Sequence, residues 1–233
     1  MNNSLKIVSI VLFAILMGSC EKPKDSPANN NLEPIPLDLP RAKLGGTPKN
    51  LPPGTHIKMD GNSSPRELFF APKGVKNVAL KKSVISSDME PVYGTLDLIT
   101  NGDKEANDYS YVELGPNIQW VQIDLGSQFT IYAITIWREH RDPRVYKDVV
   151  VQVSDDKDFI TNALIVFNSD IDNSAGLGIG KDWEFFETYE GQLIDCKGIK
   201  ARYVRFYANG NTVDDLNRYT EVEVYALPVE LKK

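Results

Sequence analysis

Residues 120–154 read WVQIDLGSQFTIYAITIWREHRDPRVYKDVVVQVS. Trp120 to Leu125 is a short apolar run, Gly126-Ser127 marks a turn, and Phe129 to Trp137 is rich in β-branched and aromatic residues. Arg138 to Arg144 is charged and carries Pro143, so it reads as a loop. Val149 to Val153 is a third β-branched run, stopped by Asp155-Asp156. Runs of this length and composition, bounded by turn residues, are strand signals. Strands joined by short links pair antiparallel, which puts this stretch at the centre of a β-sandwich or barrel.

The pattern continues on both sides. Val78 to Ser86, Tyr109 to Leu114, Ala163 to Phe167, Trp183 to Phe186, Gln192 to Ile194, Ala201 to Ala208 and Thr220 to Ala226 read as further strands. In the last, Val222, Val224 and Ala226 take one face and Glu221, Glu223 and Tyr225 the other. Leu96 to Asn101 suits one helical turn, and no long amphipathic helix or repeat interrupts the series. Trp120 and Trp137, both on strands, are expected in the core. Cys196 reads as a partly buried small hydrophobe, with no basic cluster beside it in sequence to activate it.

Residues 1–19 have the build of a secretory signal peptide: Lys6, an apolar run from Ile7 to Met17, then Gly18-Ser19. The run is shorter than the roughly twenty apolar residues a bilayer span needs. Leu16-Met17-Gly18-Ser19-Cys20 resembles a bacterial lipobox, which implies cleavage before Cys20 and lipidation of its sulfur. Acyl chains then anchor the protein by burying methylenes, each worth about 0.8 kcal/mol. Residues 20–74 read as a linker. Ten of the fourteen prolines lie between residues 21 and 75, and such a chain favours extended segments over a buried core. Leu68-Phe69-Phe70 is an apolar exception suited to docking on the body, and His56 is expected in solvent. The body runs over 75–228, with a tail at 229–233. The expected location is the cell envelope, on a membrane through the lipid anchor.

Hydrophobic content of 42% and charged content of 25% are those of an ordinary globular body. A formal charge of −6, without basic tracts or zinc spacing, argues against nucleic acid. No G-x-S-x-G, H-E-x-x-H or P-loop occurs. Asp155 and Asp156 would face opposite sides of a continuing strand and could not work as a carboxylate pair. A binding rather than a catalytic role is the expectation. Three loops carry polar chemistry. Asn101-Gly102-Asp103-Lys104-Glu105-Ala106-Asn107-Asp108 gathers side-chain oxygens around a glycine that permits a sharp bend, as a calcium site needs. Arg138 to Tyr146 gathers planar cations beside an aromatic, which suits sugar hydroxyls and the apolar face of a sugar ring. Asn168 to Asp182 is long, and reads equally as a flexible decoration or as a ligand-lining loop.

The order of these pieces resembles the discoidin domain, also called the coagulation-factor C-terminal-type domain. Asn77-Val78-Ala79-Leu80 with Ser86-Ser87 is similar to its opening strand. Ile99-Thr100-Asn101-Gly102-Asp103 is similar to its "DG" loop, and Trp120-Val121-Gln122-Ile123-Asp124-Leu125-Gly126 to its core strand. Val149 to Asp156, Ala201 to Arg205 and Glu221 to Tyr225 resemble its later strands. The resemblance implies an all-β, eight-stranded antiparallel jelly-roll sandwich of the galactose-binding-like type. It also implies a module that binds carbohydrate, with one structural calcium ion held by Asn101, Asp103, Asn107, Asp108 and Glu221. By loop position the ligand residues would be His140, Arg141, Arg144, Tyr146 and Asn211, with Tyr93 or Trp183 as aromatic platforms. The alternative partner is another envelope protein, with no sugar bound. The end-tying disulfide of many animal members has no Cys pair here, so closure falls to strand pairing.

Overall fold

The structure is a computed structural model and describes residues 31–43, 56–57 and 66–229. The signal peptide, Cys20 and the last four residues of the tail lie outside the described residues. Within them no helix is long and apolar enough to cross a membrane.

The stretch 120–154 folds around one strand rather than two. Ile118–Trp137 is a continuous 20-residue strand, here called β6 by its place in chain order. The expected turn at Gly126-Ser127 is instead a bulged corner. Gly126 adopts φ +88, and its N–H donates to Asp124 Oδ1 at 2.8 Å. A left-handed residue bends a strand at little cost only if it lacks a Cβ. The two halves of β6 therefore do not pair with each other. Both pair with β9 (Gln192–Asn209), Ile118 to Asp124 against Asn209 to Tyr203 and Phe129 to Ile136 against Ala201 to Gln192. The register slips between Asp124 and Phe129. Arg202 closes the corner with two bonds to the Asp124 carboxylate, at 2.8 and 2.9 Å.

The other strands are β1 (Leu32–Pro34), β2 (Phe70–Pro72), β3 (Lys76–Asn77), β4 (Val84–Ser86), β5 (Val112–Leu114), β7 (Val150–Ser154), β8 (Leu164–Asn168), β10 (Asn217–Tyr219) and β11 (Glu221–Pro228). All ladders between them are antiparallel. The first half of β6 lies between β4 and β9, followed by β7 and the edge strand β8. The second half lies between β11 and β9, with β3 beyond β11. Strands that turn a corner through a bulge let one ladder close over itself as a sandwich. A separate pair, β5 with β10, covers one side. Val121, Ile123, Ile134, Val151, Val204, Phe206 and Val224 share one core. Trp183 to Phe186 is not a strand and makes only isolated bridges. The expected helical turn is a 3-10 helix over Leu96–Thr100.

The two strand tryptophans part company. Trp137 is fully buried, and its indole N–H donates to the Tyr189 carbonyl at 2.9 Å. A Cβ at Gly191 would stand 2.7 Å from that indole, so only glycine fits there. Trp120, expected in the core, is half-buried on the outer face instead. Its neighbour Val121 takes the inward position, and the Arg205 guanidinium lies 4.3 Å from the Trp120 ring and 4.2 Å from Phe159. Cys196 is buried as expected, and burial pushes its thiol up to about 12, which leaves it inert.

The spacer reading of residues 20–74 needs correction. The compact unit begins at Asn31. β1 pairs with β2, and Ile35, Ala71 and Val75 form a second core with Ala133 and Tyr225. Leu68-Phe69-Phe70 docks in part as expected: Phe69 packs there, whereas Leu68 and Phe70 stay exposed. A cavity of about 120 Å³ remains between Ile35, Leu37, Leu39, Phe69 and Leu193. His56, expected in solvent, is half-buried and stacked on Trp183 at 4.0 Å.

Candidate functional site

The loop after β6 was the sequence's first choice for a ligand site, and its side chains turn inward. His140, Tyr146 and Asn211 are fully or almost fully buried, and so is Arg144. His140 Nε2 lies 3.0 Å from the Lys104 carbonyl, and burial holds its imidazole below the usual range. Arg144 donates to Glu139 at 2.7 Å, to Asp214 at 3.1 Å and to Asp142 at 3.3 Å. Asn211 is spent on Asp214 and the Leu216 carbonyl. Deeper still, the Arg138 guanidinium lies 4.5 Å from the Tyr146 ring and 4.3 Å from Tyr219, with Glu187 at 3.9 Å. These residues cannot reach a sugar. The physical reason is charge balance: the guanidiniums of this loop have carboxylates of their own within reach, and a buried charge is stable only when paired.

What stays at the surface is aromatic. Tyr93 donates through its hydroxyl to the Asp108 carbonyl at 2.7 Å, and its ring lies 5.3 Å from Tyr111. Tyr109 is 82% exposed. Arg141, half-buried, lies 5.8 Å from the Tyr111 ring and pairs with Asp108 and Glu139. The Tyr93 phenol is held above its usual value by desolvation first and then by Tyr109, Tyr111 and Asp108. The site thus keeps Tyr93 and Arg141 of the expected set and adds Tyr109 and Tyr111. Tyr109 lies in the turn that the Ser110 N–H closes on the Asn107 carbonyl, just before β5, so no strand periodicity announces its exposure. Trp183 is also exposed, in a different setting, with one face on His56.

Of the five expected calcium ligands, two converge. Glu221 opens β11 and is fully buried. Its Oε2 accepts the Gly102 N–H at 2.9 Å, and its Oε1 is buried with no hydrogen-bond partner. Burial pushes this carboxyl up to about 9, with Glu223 and Asp103 adding to the rise. Asp103 is nearby and accepts from Glu105 N–H at 2.9 Å and from the Ser110 hydroxyl at 2.8 Å. Asn101 caps the Asp103 N–H at 2.7 Å. Asn107 accepts from Lys43, and Asp108 pairs with Arg141, so both turn to other partners. An orphaned buried carboxylate oxygen fits a divalent cation, and Glu221 with Asp103 would hold it. Three other carboxylates, Asp148, Asp170 and Asp172, also lie close together among the described residues. Both oxygens of buried Asp170 accept backbone N–H groups, from Ser174 and Ala175. The loop from Asn168 to Asp182 is in this way closed on itself.

An antiparallel jelly roll whose polar chemistry sits on the loops at its ends is a galactose-binding-like domain. The chain belongs to the F5/8 type C domain family, whose model matches residues 83–222. No curated protein matches it. Among solved structures, it is similar to a family 89 glycoside hydrolase from Clostridium perfringens, with 20% identity and a TM-score of 0.49. The match covers 67% of this chain and 16% of that one, so this chain spans about a sixth of the hydrolase. It is also similar to a fucose-binding module from Streptococcus pneumoniae, with 20% identity, a TM-score of 0.48 and coverage of 65% and 98%. A chitosan-binding module from Paenibacillus sp. IK-5 is similar at 21% identity and a TM-score of 0.44, with coverage of 64% and 98%.

Proposed function

We propose that this protein is a non-catalytic, lipid-anchored module of the cell envelope that binds carbohydrate on the tyrosine surface of its end loops. One observation carries the reading: Tyr93, Tyr109 and Tyr111 stand together with Arg141 at the surface, while the other polar groups of that end are spent inside. Aromatic faces bind the C–H side of a sugar ring, and phenols and carboxylates at their rim meet its hydroxyls. Membership of the F5/8 type C domain family supports this, and binding groups commonly sit on loops held by a rigid scaffold. Anchoring at Cys20 would hold the module at the membrane. The test is a glycan screen of the mature chain without its lipid. Tyr93→Ala with Tyr109→Ala is expected to weaken binding on the order of tenfold or more, at about 0.5–1.5 kcal/mol per ring, with the melting temperature nearly unmoved. Undiminished binding in that double variant would place the ligand elsewhere.

The alternative is a protein-interaction subunit. It is favoured by β8, a sheet edge with exposed Leu164 and Ile165 and no proline or charge to protect it. Silence across the glycan screen, with a partner crosslinked through β8, would favour it.

We further propose one calcium ion at Glu221 and Asp103, acting as a structural brace. Without metal, Glu221 holds its proton up to about 9 when folded, well above its unfolded value near 4.3. The folded state then binds more protons than the unfolded one, so stability falls as pH climbs through that window. Calcium must displace this proton and therefore stabilises more at pH 8.5 than at pH 6. At a hundredfold excess over Kd the gain is about 2.7 kcal/mol, or roughly 5–10 °C. Glu221→Gln is expected to remove it. Identical melting in calcium and in chelator at pH 8.5 would sink the proposal.

A further inference from the structure

The hairpin of β1 and β2 lies outside residues 83–222, which the family model matches, and it has an apolar outer face. Its register sets Leu32 opposite Pro72 and Pro34 opposite Phe70. Alternation along the two strands divides the side chains. Ile35, Phe69 and Ala71 turn inward onto the second core. Leu32, Pro34, Pro36, Leu68 and Phe70 turn outward and are exposed, Leu68 by 70% and Phe70 by 54%. Exposed apolar residues gathered on one face mark a contact surface. The hairpin's edges do not invite an added strand. Ile35 N–H bonds to the Phe69 carbonyl and Lys73 N–H to the Asn31 carbonyl, so Pro34 and Pro72 stand at positions that point away from the hairpin. Proline offers no N–H there, so contact falls to the face rather than the edge.

Position and charge say what meets this face. The compact unit begins at Asn31, one residue before Leu32. Cys20 to Asn30 is eleven residues, which reach at most roughly 40 Å when fully extended. An anchor at Cys20 therefore keeps the hairpin within that distance of the bilayer. Arg66, Lys73 and Lys76 against Glu67 give residues 66–76 a net charge of +2, in a chain of −6. Residues 31–43 are balanced, Arg41 and Lys43 against Glu33 and Asp38. Glu190, which lines the cavity beside Leu68, leaves the local surplus positive. Exposed Lys73 and Lys76 flank the apolar face, and cations beside an apolar surface suit anionic headgroups. We infer that the outer face of the β1–β2 hairpin docks on the bilayer that holds the anchor, with Leu68 and Phe70 entering the interface. Apolar side chains of an interfacial element sink into the boundary between headgroups and acyl chains. The inference rests on the proposed lipid anchor. It gives the anchored module a fixed orientation instead of a swinging one.

The test places a fluorescent NBD probe at Leu68→Cys, at Phe70→Cys and, as a control, at exposed Ile179→Cys. Cys196 is buried and stays unlabelled. Each lipidated protein is carried on vesicles of phosphatidylcholine and phosphatidylglycerol in a 7:3 ratio, and compared with the chain beginning at residue 21 in buffer. Emission at positions 68 and 70 is expected to rise at least twofold on vesicles and to be quenched by doxyl-labelled lipid, with position 179 unmoved. Water-like emission at 68 and 70 on a lipidated protein would overturn the docking face and leave the anchor standing. A rise that follows protein concentration in buffer, without doxyl quenching on vesicles, would give the face to a second copy of the chain and overturn the inference too. Intact mass reports the lipid independently. A mature protein without lipid on Cys20 would overturn the anchor reading and the inference with it.

Discussion

Replacing Glu187 by leucine is expected to cost about 3 kcal/mol, as stranding a buried charged donor without its neighbouring carboxyl does. Arg138 is fully buried, and none of its three guanidinium nitrogens has a hydrogen-bond acceptor. Two tyrosine faces and the Glu187 carboxyl at 3.9 Å are what compensate its charge. A guanidinium cannot escape by losing its proton, whereas a carboxyl can take one up. Glu187 does so: burial pushes it up to about 8, against the pull of Arg138. The folded protein thus keeps a proton that the unfolded chain gives up above about 4.3, and stability declines as pH rises from there towards 8. The leucine variant should lose that part of the slope along with its stability. Arg138→Met in the same chain should restore most of the loss, because no charge is then left unpaired. Urea melts of the two single variants and the double at pH 6 and 8.5 check this. A leucine variant within about 1 kcal/mol of the parent would show that the rings alone hold the cation.

This pair also shows where reading the sequence stops. The strands were legible because period two and β-branching are local: Val121, Ile123 and Leu125 face the core as their alternation requires. The corner at Gly126 was misread as a hairpin turn because one glycine serves either a turn or a bulge, and the choice depends on where β9 lies. The polar loop misled for a related reason. Arg138, His140, Arg144 and Tyr146 have the composition of a sugar site, but they are claimed by one another, by Glu139 and Asp142 of the same loop, and by groups distant in sequence. Glu187 and Tyr219 meet Arg138, Lys104 meets His140, and Asp214 meets Arg144. A charge-rich stretch alone does not tell whether its partners are solvent, ligand or its own core. Tyr109 and Tyr111 were hidden within a short apparent strand, where aromatic residues read as packing.

Ile35→Ala is expected to lower stability by about 2–4 kcal/mol, the range for truncating a buried aliphatic side chain, or roughly 5–15 °C in melting temperature. Proline-rich composition around it argues for a spacer, and in a spacer the same change would do nothing. Proline excludes a residue from donating in a ladder and leaves its side chain free to pack. Ile35, Leu37 and Leu39 recur every second residue between prolines 34, 36 and 40, which gives an extended chain one apolar side. Ile35 and Leu37 lie against the second core beside Ala133, Tyr225 and Leu193. The Ile35 N–H donates to the Phe69 carbonyl at 2.9 Å, and further on Arg41 N–H reaches Glu105 at 3.3 Å. This segment therefore ties the outer face of β11 to the loop that carries Asp103 and Asp108. Thermal melts of the parent, Ile35→Ala and a chain beginning at residue 75 distinguish the cases. A shorter chain that melts with the parent would return residues 31–74 to the role of spacer. Early melting in both variants would place the segment around Ile35 within the folding unit.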